Sequence, residues 1–178
     1  MGTVKYIFIF LVFGLFGFQP EQDYETISWR ADHRLSWEDF KGDIPSSAHA
    51  AATTASGITY RFSTTGTRDH INVDFQIETH FYPNQSWYQP ALCDEIILSH
   101  EQLHFDISEL FARKLRKELN ETSYTHKNVK AKVRSIYRKN NEALSDFQNK
   151  YDDETNFSRN REQQLLWNKK IAAALKNR

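Results

Sequence analysis

The chain has 178 residues, and with its apolar N-terminal run set aside it is the length of one ordinary domain around a single core. Lys and Arg total 23 and Asp and Glu total 23, so the formal charge is zero and no global basic field exists to gather polynucleotide or an anionic membrane. One cysteine, Cys93, excludes an intramolecular disulfide, and its plain reading is a small buried apolar side chain.

The first element is the apolar run from Tyr6 to Phe18, preceded by Lys5 and stopped by Gln19-Pro20-Glu21. It falls short of the roughly 20 residues a membrane span needs and suits the apolar core of a signal peptide. Export to the periplasm or the medium is the expectation. A retained N-terminal membrane anchor is the alternative, because only Gly14 and Gly17 offer small residues for cleavage. The organisation expected is a targeting segment at 1–18 and a single domain at 19–178.

Residues 21–50 are loop-rich, with Trp29, Trp37 and Phe40 as aromatic anchors and Gly42 and Pro45 as punctuation. Ile58, Tyr60 and Phe62 then alternate with polar residues; Thr64 to Asp69 breaks the run; Ile71, Val73, Phe75, Ile77 and Phe81 resume it. Period two on both sides of a break predicts a β-hairpin at about 57–82 with one buried face. Pro90 opens a helical pattern to about Leu119, in which Leu92, Ile96, Leu103, Ile107, Leu110, Phe111 and Leu115 form one stripe. Arg113, Lys114, Arg116 and Lys117 sit at its C-terminal end, where cations suit the helix dipole. Further helices are expected at about 127–150 and 159–176, with Tyr151 to Asn156 as a connection containing a helix start. The fold class predicted is α+β: a small antiparallel sheet packed on the helix at 90–119 and two C-terminal helices.

That helix carries His100-Glu101-Gln102-Leu103-His104. Histidines four apart lie about 40° apart around a helix and one turn apart along it, so both imidazoles can reach one metal. Glu101 stands about 100° round from His100, turned away from ligation but within reach of a metal-bound water, where it can serve as general base. This is the residue set of zinc-dependent peptide hydrolysis, with Zn2+ as cofactor and a peptide or protein as substrate. No Gly-x-Ser-x-Gly elbow, phosphate-cradling Gly-rich loop or paired-cysteine motif competes with it. Both histidines fall on the buried stripe and need partners; the plainer alternative is a pair of structural histidines bonded to backbone or carboxylate. Asp106 and Glu109 project from other faces, and Glu109 precedes Arg113 by four, the spacing of an ion pair. The isolated His33, His49, His70, His80 and His126 read as surface or packing residues.

Several blocks occur in order: Leu35-Ser36-Trp37-Glu38-Asp39-Phe40-Lys41-Gly42, Ala51-Ala52-Thr53-Thr54-Ala55-Ser56-Gly57-Ile58, His100 to Ile107 running into Ala112-Arg113, Tyr151-Asp152-Asp153-Glu154-Thr155, and finally Gln164 and Trp167. Through these blocks nearly everything after the signal segment resembles a family of exported bacterial proteins, domain of unknown function 922 (DUF922), described as zinc-dependent proteases. The resemblance implies a zinc metallopeptidase, with one departure. The family's Tyr-Asp-x-x-Thr block is followed, two residues after the threonine, by a histidine that looks like a third metal ligand; here that position is Phe157, which cannot coordinate. Glu142 is one substitute, because Asn141-Glu142-Ala143-Leu144-Ser145-Asp146 resembles the stretch that supplies the third ligand in thermolysin-like peptidases. Asp152, Asp153, Glu154 or no third ligand are the others. An incomplete ligand set would make the protein a non-catalytic exported binding module on a degenerate metallopeptidase scaffold. A purely structural role in the cell envelope is the third reading.

Overall fold

The computed structural model describes residues 25–67 and 71–176. The apolar run at 1–18, and with it the export expectation, lies outside the described residues, as do Arg68, Asp69 and His70 at the hairpin break. No helix among the described residues is long and apolar enough to cross a membrane.

The strands are β1 (Ile27–Ser28), β2 (Ala52–Thr53), β3 (Ser56–Gly66), β4 (Ile71–Phe81) and β5 (Trp87–Tyr88); the helices are α1 (Glu95–Glu121), α2 (Val129–Thr155) and α3 (Arg161–Lys176). One antiparallel sheet runs β1-β4-β3 and a two-stranded one pairs β2 with β5. The architecture is α+β. The alternating residues form the expected hairpin, with Tyr60 opposite Ile77 and Phe62 opposite Phe75. Their side chains share one face and pack towards α1.

Helix α1 starts five residues later than Pro90 suggests. The Asp94 carboxylate accepts the Ile96 and Ile97 backbone N–H groups, both at 3.0 Å, and this cap sets the boundary. Leu92 therefore precedes the helix and is exposed instead of joining its stripe. The single-stripe picture is also too narrow, because α1 is buried on nearly every side from His100 to Ala112. Leu103, Ile107, Phe111 and Leu115 share a core with Ile58 and Ile77 of the sheet and with Val133, Trp167 and Ile171 of the other helices. A second cluster, Leu35, Phe40, Phe81 and Phe105, closes another side. Gly42 allows that closure: a Cβ there would stand 2.9 Å from the Ser86 carbonyl oxygen. Cys93 is only half-buried, and its thiol donates to the Ala51 carbonyl at 3.3 Å, so the expectation of a buried apolar residue is too simple.

Helix α2 corrects another expectation. Tyr151 to Thr155 is its last turn and not a connection; the chain leaves at Asn156, whose left-handed φ of 48° ends the helix. Phe157 N–H then closes on the Asp152 carbonyl at 2.9 Å. The run of acids had the look of a helix start, but Tyr151 and Thr155, both fully buried, anchor the turn to the core. Helix α3 begins after Asn160, whose side-chain oxygen accepts the Gln163 N–H at 3.2 Å.

Ile107 is fully buried where sheet and helices meet. Ile107→Ala is expected to lower the unfolding free energy by about 2–5 kcal/mol in urea titrations, since both transfer energy and cavity cost are lost.

Candidate metal centre

Two elements build the site. Helix α1 presents His100 and His104 one turn apart, and the final turn of α2 brings Asp152 across to them. The imidazole Nε2 atoms are 3.3 Å apart, and Asp152 Oδ1 lies 3.1 Å from that of His100 and 3.0 Å from that of His104. The rings stand nearly perpendicular, at 84°. Tyr151 stacks on His100 with centroids 4.5 Å apart and meets His104 edge-on at 5.1 Å, which fixes both rings from behind. Their outer nitrogens also have partners: His100 Nδ1 meets Gln164 Oε1 at 3.0 Å and His104 Nδ1 meets Gln148 Oε1 at 3.2 Å.

The cluster fits a cation on two counts. Asp152 Oδ1 is buried without a hydrogen-bond partner, which is costly for an ionised oxygen unless a positive charge sits beside it. Tetrahedral zinc with bonds of about 2.0–2.1 Å holds its donors roughly 3.3 Å apart, close to the three separations found here. His100, His104 and Asp152 form a group that could hold a metal ion.

The electrostatics favour the same occupant. Burial pushes the Asp152 carboxyl up, but the His100 and His104 imidazoles outweigh this and hold it well below the usual carboxylate range. For His104, burial lowers the pKa, yet the Asp152 carboxylate beside it, joined by the charge of Glu101, raises it above the ordinary value. A proton is drawn to the place a metal would take. Burial keeps the Tyr151 phenol protonated. Access differs among the donors: the Asp152 side chain is 23% exposed and that of His104 12%, against 5% for His100, so the cluster opens on the Asp152 side.

Glu101 is buried, and its charge is felt at His104, Tyr151 and Cys93. It stays outside the ligand group. The Thr54 hydroxyl, just after β2, donates to the Glu101 backbone carbonyl at 3.2 Å.

Among the residues open for the third position, Asp152 is the one brought to the histidines. Glu142 is exposed, pairs at 3.9 Å with Arg138, and lies ten residues back along α2, roughly 15 Å away. Glu154 accepts the Trp167 indole N–H at 2.8 Å, and neither it nor Asp153 belongs to the converging group. Phe157 is 56% exposed, in a run of three left-handed residues just past α2. Position 157 is thus apolar and turned to solvent, while Asp152, five residues earlier, joins the two imidazoles in the converging group.

The neighbouring acids behave largely as their spacing suggests. Glu109 bonds Arg113 at 2.9 Å and accepts from Thr79 at 2.8 Å. Asp106 differs: it accepts from Trp29, Arg34 and Gln102 at 2.8–2.9 Å, pinning the loop-rich segment to α1. His33, His49 and His126 are exposed, and His80 packs with Thr59 at 3.0 Å. Sequence reasoning missed Gln148 and the role of Gln164, since an amide beside a metal site has no spacing signature.

The family model described as bacterial protein of unknown function (DUF922) matches residues 36–159, well over half of the chain and including all three donors. No curated protein and no solved structure gives a significant match.

Proposed function

The chain belongs to the bacterial family of unknown function DUF922, and on that premise we propose that it is a zinc-dependent hydrolase, specifically a metallopeptidase exported through its N-terminal segment. The observation that carries the reading is the convergence of His100, His104 and Asp152, with the buried Glu101 carboxylate on the turn between the two histidines. Two imidazoles and one carboxylate would hold zinc and leave a fourth position for water or substrate, the arrangement of a catalytic rather than a structural site. When bound, zinc lowers the pKa of a coordinated water to about 7 and polarises a carbonyl.

The protein's own groups do the rest. Glu101 accepts a proton from the attacking water and returns it to the departing amine. Its burial keeps competing solvent away, so the transfer has a fixed direction. Asp152 and the histidines balance charge at the site, and Tyr151, held neutral, braces the rings without competing for the proton. β2 and Thr54, which meet α1 at Glu101, are the backbone against which an extended peptide would align by main-chain pairing. The zero net charge supports a peptide or protein substrate over nucleic acid.

The test uses labelled casein as a broad substrate. Hydrolysis by zinc-loaded protein is expected to stop with 1,10-phenanthroline and to return when zinc is restored. Tight zinc binding with no hydrolysis before chelation would replace the enzyme reading with that of a non-catalytic binding module.

A further inference from the structure

We propose that Gln148 and Gln164 are positioning residues that hold both histidines in the tautomer able to bind metal, so that α3, which supplies no ligand, helps to set metal affinity. The inference rests on the metal-site reading above and deepens it. A neutral imidazole carries one proton, and its second nitrogen can coordinate only if the proton sits on the first; whichever partner faces the first nitrogen decides this. A glutamine could do either, since its oxygen would fix a proton on Nδ1 while its NH2 group would drive the proton to Nε2 and close the site.

The surrounding bonds choose between these. The Gln164 amide nitrogen donates to Asn168 Oδ1 at 2.9 Å and lies 2.7 Å from Tyr151 Oη, and its oxygen meets His100 Nδ1 at 3.0 Å as well as the Tyr151 hydroxyl at 2.9 Å. Asn168 is oriented in turn, because its own amide nitrogen donates to Ser99 Oγ at 2.8 Å. The Gln148 amide nitrogen has two acceptors at 3.3 Å, the His104 carbonyl and Ser108 Oγ, so its oxygen also faces a ring. With metal bound, both Nδ1 atoms would therefore keep their protons on the glutamine side, and both Nε2 lone pairs would face the ion beside Asp152. Gln164 is 2% exposed, so no solvent molecule is at hand to take over its role.

The experiment compares Gln148→Leu, Gln164→Leu and Gln148→Glu with the parent. Gln148→Glu keeps an acceptor facing His104 and is the conservative rescue. Thermal unfolding establishes that each variant is folded. 1H–15N spectra of the zinc-loaded proteins read the Nδ1–H proton of each histidine and its hydrogen bond; chelator competition reads zinc affinity. The expected result is a slowly exchanging Nδ1–H at both rings of the parent, loss of that slow exchange at one ring in each leucine variant, and zinc binding weakened there by roughly 10–100-fold. Gln148→Glu should keep both. Unchanged Nδ1–H signals in folded leucine variants, or zinc affinities within about twofold of the parent, would overturn the inference. A parent that binds no zinc would instead defeat the metal reading and this inference with it.

Discussion

Glu101→Gln protein is expected to keep its zinc while losing peptide hydrolysis by about 10²–10⁴-fold, the share that a positioned general base contributes. The change is nearly isosteric, so the buried site on α1 is not emptied, and Glu101 is outside the group of converging donors. What disappears is a buried carboxylate whose charge acts on His104 and Tyr151. Loss of its charge removes one of the influences that raise the His104 pKa, and none of the three converging donors is lost, so zinc content should change little. Steady-state hydrolysis of labelled casein, set beside metal analysis of the same samples, separates the two roles. Turnover equal to that of the parent would remove Glu101 as the base, and loss of zinc along with activity would make it a structural part of the site.

Much of this arrangement was legible in local pattern. Period-two alternation located β3 and β4 to within a residue or two, and the i, i+4 spacing of His100 and His104 on an apolar stripe identified the side of α1 on which the two imidazoles meet Asp152. Boundaries set by competing local signals were less legible. Pro90 and Asp94 both mark helix starts, and only the hydrogen bonds of the Asp94 carboxylate settle which one acts. Asp152 lay within a polar run that reads equally as loop or helix; burial of Tyr151 and Thr155, a tertiary effect, makes it the last turn of α2 and aims it at the histidines. That placement also answers the puzzle of Phe157. With phenylalanine at 157, the two histidines are still not left alone, because the carboxylate five residues earlier is already 3.0–3.1 Å from both rings. The glutamines were beyond sequence reasoning altogether, since their function depends on which end of an amide faces a ring and that is set by contacts among three helices.

The second large effect is expected at Asp152. Apparent zinc binding energies of about 10–16 kcal/mol for four-ligand structural sites amount to roughly 3 kcal/mol per donor, so Asp152→Ala should weaken zinc on the order of 10²-fold or more. Losing the carboxylate also removes an anion 3.0–3.1 Å from both Nε2 atoms, so the change acts through charge as well as ligand number. Zinc titration against a competing chelator, on parent and Asp152→Ala side by side, therefore addresses the whole account at its base. The parent should take up about one zinc per chain, with the variant binding at least a hundredfold more weakly while still unfolding cooperatively in the metal-free state. A parent that binds no zinc, or a variant that binds it as tightly as the parent, would contradict the assignment of His100, His104 and Asp152 as one metal centre.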